Sequence, residues 1–523
     1  MAQLTDEQVT RIAERLARRL GQAPPGIAAF FPEGESGTAP GARGGVTPEG
    51  GGGVAPRGGS GVSPAGSAGP GPAGAPGPAP EGGGGIFPDV DSAVAAARLA
   101  FLRLSGTSLE LRARLIASLR RTMLAECENL ARLAHEETGY GRYEDKIRKN
   151  RVVTLKTPGL EDLHPAAVSG DRGLTLVEPA PYGVIGAITP VTNPSSTVIN
   201  NALGMLAAGN TVVFNCHPSA KRVGARTVEL INQAVMSAGG PANLATAVAE
   251  PTIASAQALM KHPDVRLLVV TGGAAVVAQA MASGKRAICA GPGNPPVVVD
   301  ETADLDRAGR DIVLGASFDN NIICVDEKEV FVTAPAAEGL LEALRRHGAH
   351  RLDAARLPQL ERAIFTQMNG PREPSEVDKK LIGKDAAVIL AAIGVTVSPE
   401  TRLIVVEVPA EHPLVWTEQM MPVLPVVRTR DAAEAIDLAI AAERGLRHTA
   451  AMYSRNLDHL SRMAREINCS IFVKNGPCYA GLGEGGEGHC SFTIASPTGE
   501  GLTGPRSFSR LRRCVLVDHF RIV

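Results

Sequence analysis

Between Gln22 and Gly85, 34 of 64 residues are glycine (22) or proline (12), with no strict glycine-every-third period. A stretch so poor in apolar side chains buries too little surface to offset the entropy of ordering its backbone. It therefore reads as a disordered linker and, lacking the period, not as collagen. As a flexible coil its 64 residues span on the order of 40–50 Å root mean square. Any large packed fold must lie beyond it, from Ile86 onward, in a body long enough for two or three domains.

Ahead of the linker, "TDEQVTRIAERLARRLG" opens with Thr5 and Gln8 in the relation of a capping box. Val9, Ile12, Leu16 and Leu20 follow at spacings of three, four and four, one helical stripe, and Gly21 is a stop signal. Residues 1–21 are thus expected to form an amphipathic targeting helix, held away from the body on a tether. Such a helix suits insertion into a partner's groove. Docking on its own domain or fraying is the plainer alternative. Membrane-surface binding is disfavoured because the apolar face lacks Trp and Phe.

Lys and Arg (53) nearly balance Asp and Glu (54), so no bulk charge draws the chain to nucleic acid or to an anionic membrane. No apolar run reaches the roughly 20 residues of a membrane span, and the N-terminus has no secretory apolar core. The eight cysteines are scattered without a C-x-x-C pair or zinc-like spacing. Reduced thiols, no metal site and a cytoplasmic location are expected.

The body begins with helical patterning, "DVDSAVAAARLAFLRL" and "SLELRARLIASLRRTMLAECENLARLAHEE". Short β-branched runs then alternate with helices: "YGVIGAIT", "TVVFN", "VRLLVVTG", "PPVVVD", "KEVFVTA" and "TRLIVVEV". That alternation predicts an α/β fold with mainly parallel sheet.

Three stretches can carry chemistry. In "AITPVTNPSSTVINNALGMLAAGNTVVFNCHPSA" a strand runs into a Pro-bounded loop and then a helix. Loops at the carboxyl ends of parallel strands bind ligands in such folds. Asn193 can turn its amide N–H₂ toward an oxyanion, or merely cap the next helix as an Asx turn. "LLVVTGGAAVVAQAMA" is a strand, a Gly-Gly turn and a helix whose N–H groups can face a pyrophosphate, without a G-x-G-x-x-G fingerprint. In "FDNNIICVDEKEVFV", Cys324 precedes a strand, a loop position that suits a reactive thiol. An inert, packed cysteine is the competing reading.

Together these residues, from Ile86 to Val523, resemble an aldehyde dehydrogenase of the CoA-acylating branch found with bacterial microcompartments. The resemblance implies a Rossmann-like NAD-binding domain over 86–293, a catalytic domain over 294–473 and a C-terminal return with an oligomerisation strand over 474–523. It makes Cys324 the nucleophile and Asn193, in "ITPVTNP", the oxyanion donor. Thr189, Pro190, His217, Gly272 and Gly273 then face NAD, and Glu418 in "TEQMMPVLPVV" holds the nicotinamide ribose. "TIASPTGEGLTGPRSFSR" is characteristic of the acylating group. Where hydrolytic relatives carry Glu-Leu-Gly-Gly-Lys, with a glutamate that activates water, this chain reads "AGPGNPPVVVD" with Ala290 in its place. A second departure is His217-Pro218 in place of Lys-Pro after the adenosine strand.

The function implied is oxidation of a short-chain aldehyde such as acetaldehyde, propionaldehyde or lactaldehyde with NAD, then transfer of the acyl group from Cys324 to coenzyme A. His448 either handles the CoA proton or is a packed histidine. Cys216, Cys289, Cys469, Cys478 and Cys490 are read as structural. The resemblance further implies a homo-oligomer, with "CVLVDHFRIV" adding a strand across a subunit interface, and a microcompartment shell or co-cargo partner for residues 1–21. Two rivals are a hydrolytic aldehyde dehydrogenase making free acid, against which Ala290 argues, and a catalytically idle cargo or scaffold protein.

Overall fold

A computed structural model describes residues 83–523, so the expected targeting helix and nearly all of the linker lie outside the described residues. Gly84 and Gly85, assigned to the linker by composition, belong instead to the body. Both are left-handed, at φ 66 and φ 96. A Cβ at Gly85 would stand 2.3 Å from Asn232 Nδ2, which donates to the Gly84 carbonyl at 2.9 Å. These two glycines are there because nothing larger fits.

A six-stranded sheet runs in the order Ile86–Phe87, Ala245–Val248, Thr211–Asn215, Val184–Ile188, Val265–Thr271, Ala287–Ala290. Every pairing in it is parallel. Its central strands are buried on both faces, which is why apolar residues dominate them. The helix Pro194–Ala207 behind them is buried along its whole length. A second, seven-stranded sheet is ordered Ala349–Arg351, Leu403–Glu407, Val423–Thr429, Glu329–Thr333, Pro296–Val299, Thr449–Tyr453, Ile471–Lys474. It too is wholly parallel. The α/β architecture expected from the alternating runs is the one observed.

The chain returns at its end to the first sheet. Phe492 and Phe508 join the core that covers that sheet. Asn200 Oδ1 accepts from the Phe492 N–H at 3.0 Å, and Asn210 Nδ2 donates to the Phe508 carbonyl at 2.9 Å. The strand Ser509–Val517 then pairs antiparallel with Gly173–Pro181, which also pairs with Ala166–Gly170. Leu511, Val515 and Val517 on this small sheet are exposed. No helix of the described residues is long and apolar enough to cross a membrane.

Candidate active site

The segment that carries Cys324 begins where the helix Leu305–Ala316 ends. Asp319, Asn320 and Asn321 are all left-handed, at φ 45, 56 and 64. Asp and Asn are the side chains that best tolerate this region, at a cost of about 1–3 kcal/mol each. Their own hydrogen bonds hold the turn. Asn320 Nδ2 donates to the Gly383 carbonyl (2.9 Å), and Asn321 Nδ2 to the carbonyls of Ala316 (2.8 Å) and Glu327 (2.9 Å). The Asp319 N–H donates to Asp145 Oδ2 at 3.0 Å. Cys324 emerges half-buried from this turn, just before the strand Glu329–Thr333.

The charged run that follows is not a solvated face. Asp326, Glu327, Lys328 and Glu329 are all fully buried. Lys328 Nζ spends its donors on the Asn321 carbonyl (2.9 Å), Asn321 Oδ1 (2.7 Å) and the Ile323 carbonyl (3.2 Å), so it bolts the turn from below. Burial raises the carboxyl pKa of Asp326 and Glu329 well above the usual range, and that of Glu327 to about 7.

Cys324, His448 and Glu418 converge on one glycine. A Cβ at Gly293 would lie 2.5 Å from the Cys324 carbonyl oxygen and 3.0 Å from His448 Cγ. The Gly293 N–H itself donates to Glu418 Oε1 at 3.3 Å. Burial, and then the negative charge of Glu418, pushes the Cys324 thiol up to about 12. Burial, and then Lys328, pushes the His448 imidazole down to about 3, which keeps it neutral. Its Nδ1 pairs with Thr449 Oγ1 at 2.9 Å, while Nε2 has no partner among the described residues. The sequence alone left His448 between two readings; the structure buries its ring against Gly293, the glycine that the Cys324 carbonyl also approaches.

Asn193 precedes the helix Pro194–Ala207, yet its side chain makes no cap bond, so the Asx-turn alternative is not what the structure adopts. Asn193 Oδ1 accepts from Lys149 Nζ at 2.8 Å, and Nδ2 donates to Thr192 Oγ1 at 3.2 Å. Lys149, with Lys146, is ion-paired to Asp319 in the nucleophile turn. The Thr192-Asn193 loop and the turn that leads to Cys324 thus share one buried lysine. Sequence reasoning missed Lys149, Asp319 and Lys328, because "KIRKNR" and "DEKE" carry no local sign of burial.

The expected cofactor residues leave neighbouring strand ends. Ile188 lies opposite Asn215 on one side and Val270 on the other. Thr189 and Pro190, His217, and Gly272 with Gly273 therefore project from three adjacent carboxyl ends, the place where parallel sheets bind ligands. Gly273 caps the helix Ala274–Met281, and a Cβ there would meet nothing within 4 Å, which leaves the turn open to a ligand. His217 is exposed, and its Nδ1 accepts from the Ser219 N–H at 3.1 Å. Ala290 is buried at the end of its strand, where its carbonyl accepts from the Gly272 N–H at 3.1 Å. Glu418 comes from the other sheet, just before the strand Val423–Thr429. Among the described residues no cluster of His, Cys, Asp or Glu is arranged to hold a metal ion.

The family model for "Aldehyde dehydrogenase family" matches residues 87–492. The chain is 53% identical over 439 residues to the acetaldehyde dehydrogenase (acetylating) EutE of Salmonella typhimurium, covering 84% of this chain and 93% of the relative. Among solved structures, a Rhodopseudomonas palustris propionaldehyde dehydrogenase with bound propionyl-CoA superposes with a TM-score of 0.81 at 50% identity, over 83% of this chain and 96% of the other. A propionaldehyde dehydrogenase from the Clostridium phytofermentans fucose utilisation bacterial microcompartment does so with a TM-score of 0.81 at 45% identity, over 84% of this chain and all of the other. A fold of two parallel sheets, a cysteine turn between them and this extent of likeness lead to one conclusion: the chain belongs to the aldehyde dehydrogenase family.

Proposed function

We propose that the protein is a CoA-acylating, NAD-dependent aldehyde dehydrogenase acting on a short-chain aldehyde. The observation that carries this reading is the grouping of Cys324, His448 and Glu418 around Gly293, with no carboxylate at Ala290. Relatives named as acetylating and CoA-propanoylating enzymes support it.

Cys324 gives up its thiol proton to solvent and its sulfur attacks the aldehyde carbon as thiolate, the attacking form of a thiol. Asn193 Nδ2 receives the oxygen as it gains negative charge. When bound, NAD supplies a hydride acceptor for the substrate carbon. Thr189, Pro190, His217, Gly272 and Gly273 would hold the cofactor, and Glu418 would hold its nicotinamide ribose. The acyl group remains on Cys324 as a thioester. His448, neutral and with a free Nε2, accepts the proton of the incoming CoA thiol, whose sulfur displaces Cys324. Without a carboxylate at Ala290 to activate water, hydrolysis of the thioester is the slower path.

In this reading 86–293 bind the cofactor, 294–473 carry the nucleophile, and the strand Ser509–Val517 joins subunits through its exposed apolar side chains. Residues 1–21 address the enzyme to a microcompartment shell or co-cargo protein. The deciding experiment is NADH formation from propionaldehyde and NAD, with and without CoA, for the native chain and Cys324→Ala. Sustained turnover only with CoA, lost in the variant, is expected. Equal turnover without CoA would make water the acceptor, and no turnover with any short aldehyde would favour an idle cargo protein.

A further inference from the structure

The Asn193 amide has two ends of similar size and opposite polarity. Only the N–H₂ end stabilises an oxyanion; turned over, the amide would press its own oxygen lone pairs against the developing charge. Something must hold the amide one way round. Lys149 Nζ donates to Asn193 Oδ1 at 2.8 Å and to the Thr192 carbonyl at 3.2 Å. An ammonium has donors and no acceptor, so it cannot face the N–H₂ end. Lys149 is 1% exposed, and in such a site its charge acts through little screening water.

It is ion-paired to Asp319, which is fully buried in the turn that leads to Cys324. Burial alone would raise the Asp319 pKa, but Lys146 and Lys149 outweigh it and hold the carboxyl below its ordinary value. Lys146 Nζ lies 3.0 Å from Asp319 Oδ2, so that carboxylate already has a lysine without Lys149. What Lys149 alone supplies is the contact with the Thr192-Asn193 loop.

We propose that Lys149 is a positioning residue for the oxyanion site, fixing the Asn193 amide with its oxygen inward and its N–H₂ toward the substrate. The inference rests on Asn193 being the oxyanion donor, and it adds that a buried cation sets the amide's direction and strengthens its N–H groups. The helix Tyr143–Lys156 thereby ties the oxyanion donor to the nucleophile turn, since its Lys149 touches both.

The test compares Lys149→Met, Asn193→Ala and the double variant in the full-length enzyme. Lys149→Met keeps much of the side chain's length and leaves Asp319 paired with Lys146. It is expected to lower kcat about 100-fold, the scale of one lost oxyanion donor. KM for NAD and the rate of Cys324 alkylation by iodoacetamide are expected to be unchanged. Added to Asn193→Ala, it should lower kcat no further, because the amide it aims is gone. Lys149→Gln, which keeps a neutral donor at this position, is expected to retain more activity than Lys149→Met and serves if the methionine variant does not fold. Losses that multiply in the double variant, or alkylation slowed as much as turnover, would mean that Lys149 supports the fold and not the amide. Native-like turnover in Lys149→Met with a loss in Asn193→Ala would overturn the inference and leave the oxyanion assignment standing. Native-like turnover in Asn193→Ala would overturn both.

Discussion

Glu327 Oε1 accepts a hydrogen bond from the backbone N–H of Cys478 at 2.8 Å, so one buried carboxyl joins the segment that follows Cys324 to the C-terminal return. Its other oxygen, Oε2, has no partner among the described residues, and a Cβ at Gly315 would fall 2.2 Å from it. With no cation bonded to the carboxyl, burial dominates and raises its pKa from 4.5 to about 7.

This sets a direction for stability against pH. Between about 4.5 and 7 the unfolded chain gives up this proton while the folded chain retains it, so stability falls as pH rises through that window. Above it the loss levels off at about 3 kcal/mol. Glu327→Gln keeps the acceptor for Cys478 and removes the titration. Thermal unfolding at pH 5 and pH 8 should show the variant gaining on the native protein at pH 8. An unchanged difference between the two pH values would show that Glu327 is not the source.

The second prediction concerns the thiol. Cys324 is pushed up to about 12 by burial first and Glu418 next, so its alkylation by iodoacetamide in the cofactor-free protein should still be climbing at about pH 10. Glu418→Gln removes the nearer negative charge and should move the whole rate profile to lower pH. The same variant should raise KM for NAD, because the ribose loses its acceptor. Superimposable alkylation profiles would mean that the thiol does not feel the Glu418 charge.

The parallel sheets were legible because strands covered on both faces are dominated by apolar residues, as Val184–Ile188 and the centre of Thr211–Asn215 are. Cys324 and the asparagine loop stood out as motifs. The polar scaffold beneath them was not. Lys149 meets Asn193 across 44 positions of sequence, and Glu327 meets Cys478 across 151, so no local spacing encodes either contact. Charged residues read as solvent-facing until the segments that bury them are placed, and "DEKE" is buried by parts of the chain far from it in sequence. The strand Gly173–Pro181 also escaped notice, because its half-exposed, proline-ended pattern lacks an apolar run.

Gly293 supplies the third prediction. Its missing side chain is what lets the Cys324 carbonyl and the His448 ring approach from the same side. In Gly293→Ala the added methyl meets backbone at 2.5 Å, which a rotamer change cannot relieve. Overpacking of this kind costs about 1–3 kcal/mol, and here the strain falls on the nucleophile. A modest drop in melting temperature with a much larger drop in kcat is expected. A variant that melts lower yet turns over normally would show that the close approach has no bearing on catalysis.

The last prediction separates the two half-reactions. His448 Nε2 has no partner among the described residues, and burial holds the ring neutral down to about pH 3, so it is uncharged across the working range. If it takes the CoA proton, His448→Asn should still give a burst of NADH on rapid mixing with propionaldehyde and NAD, since hydride transfer does not need it. The CoA-dependent steady state that follows should fall by about 10²–10⁴-fold. In the native enzyme that CoA-dependent rate should show no acidic limb near pH 6.5, because the imidazole does not gain a proton there. Loss of the burst along with the steady state would make His448 a support for the nucleophile turn, and an unaffected steady state would remove it from the CoA step.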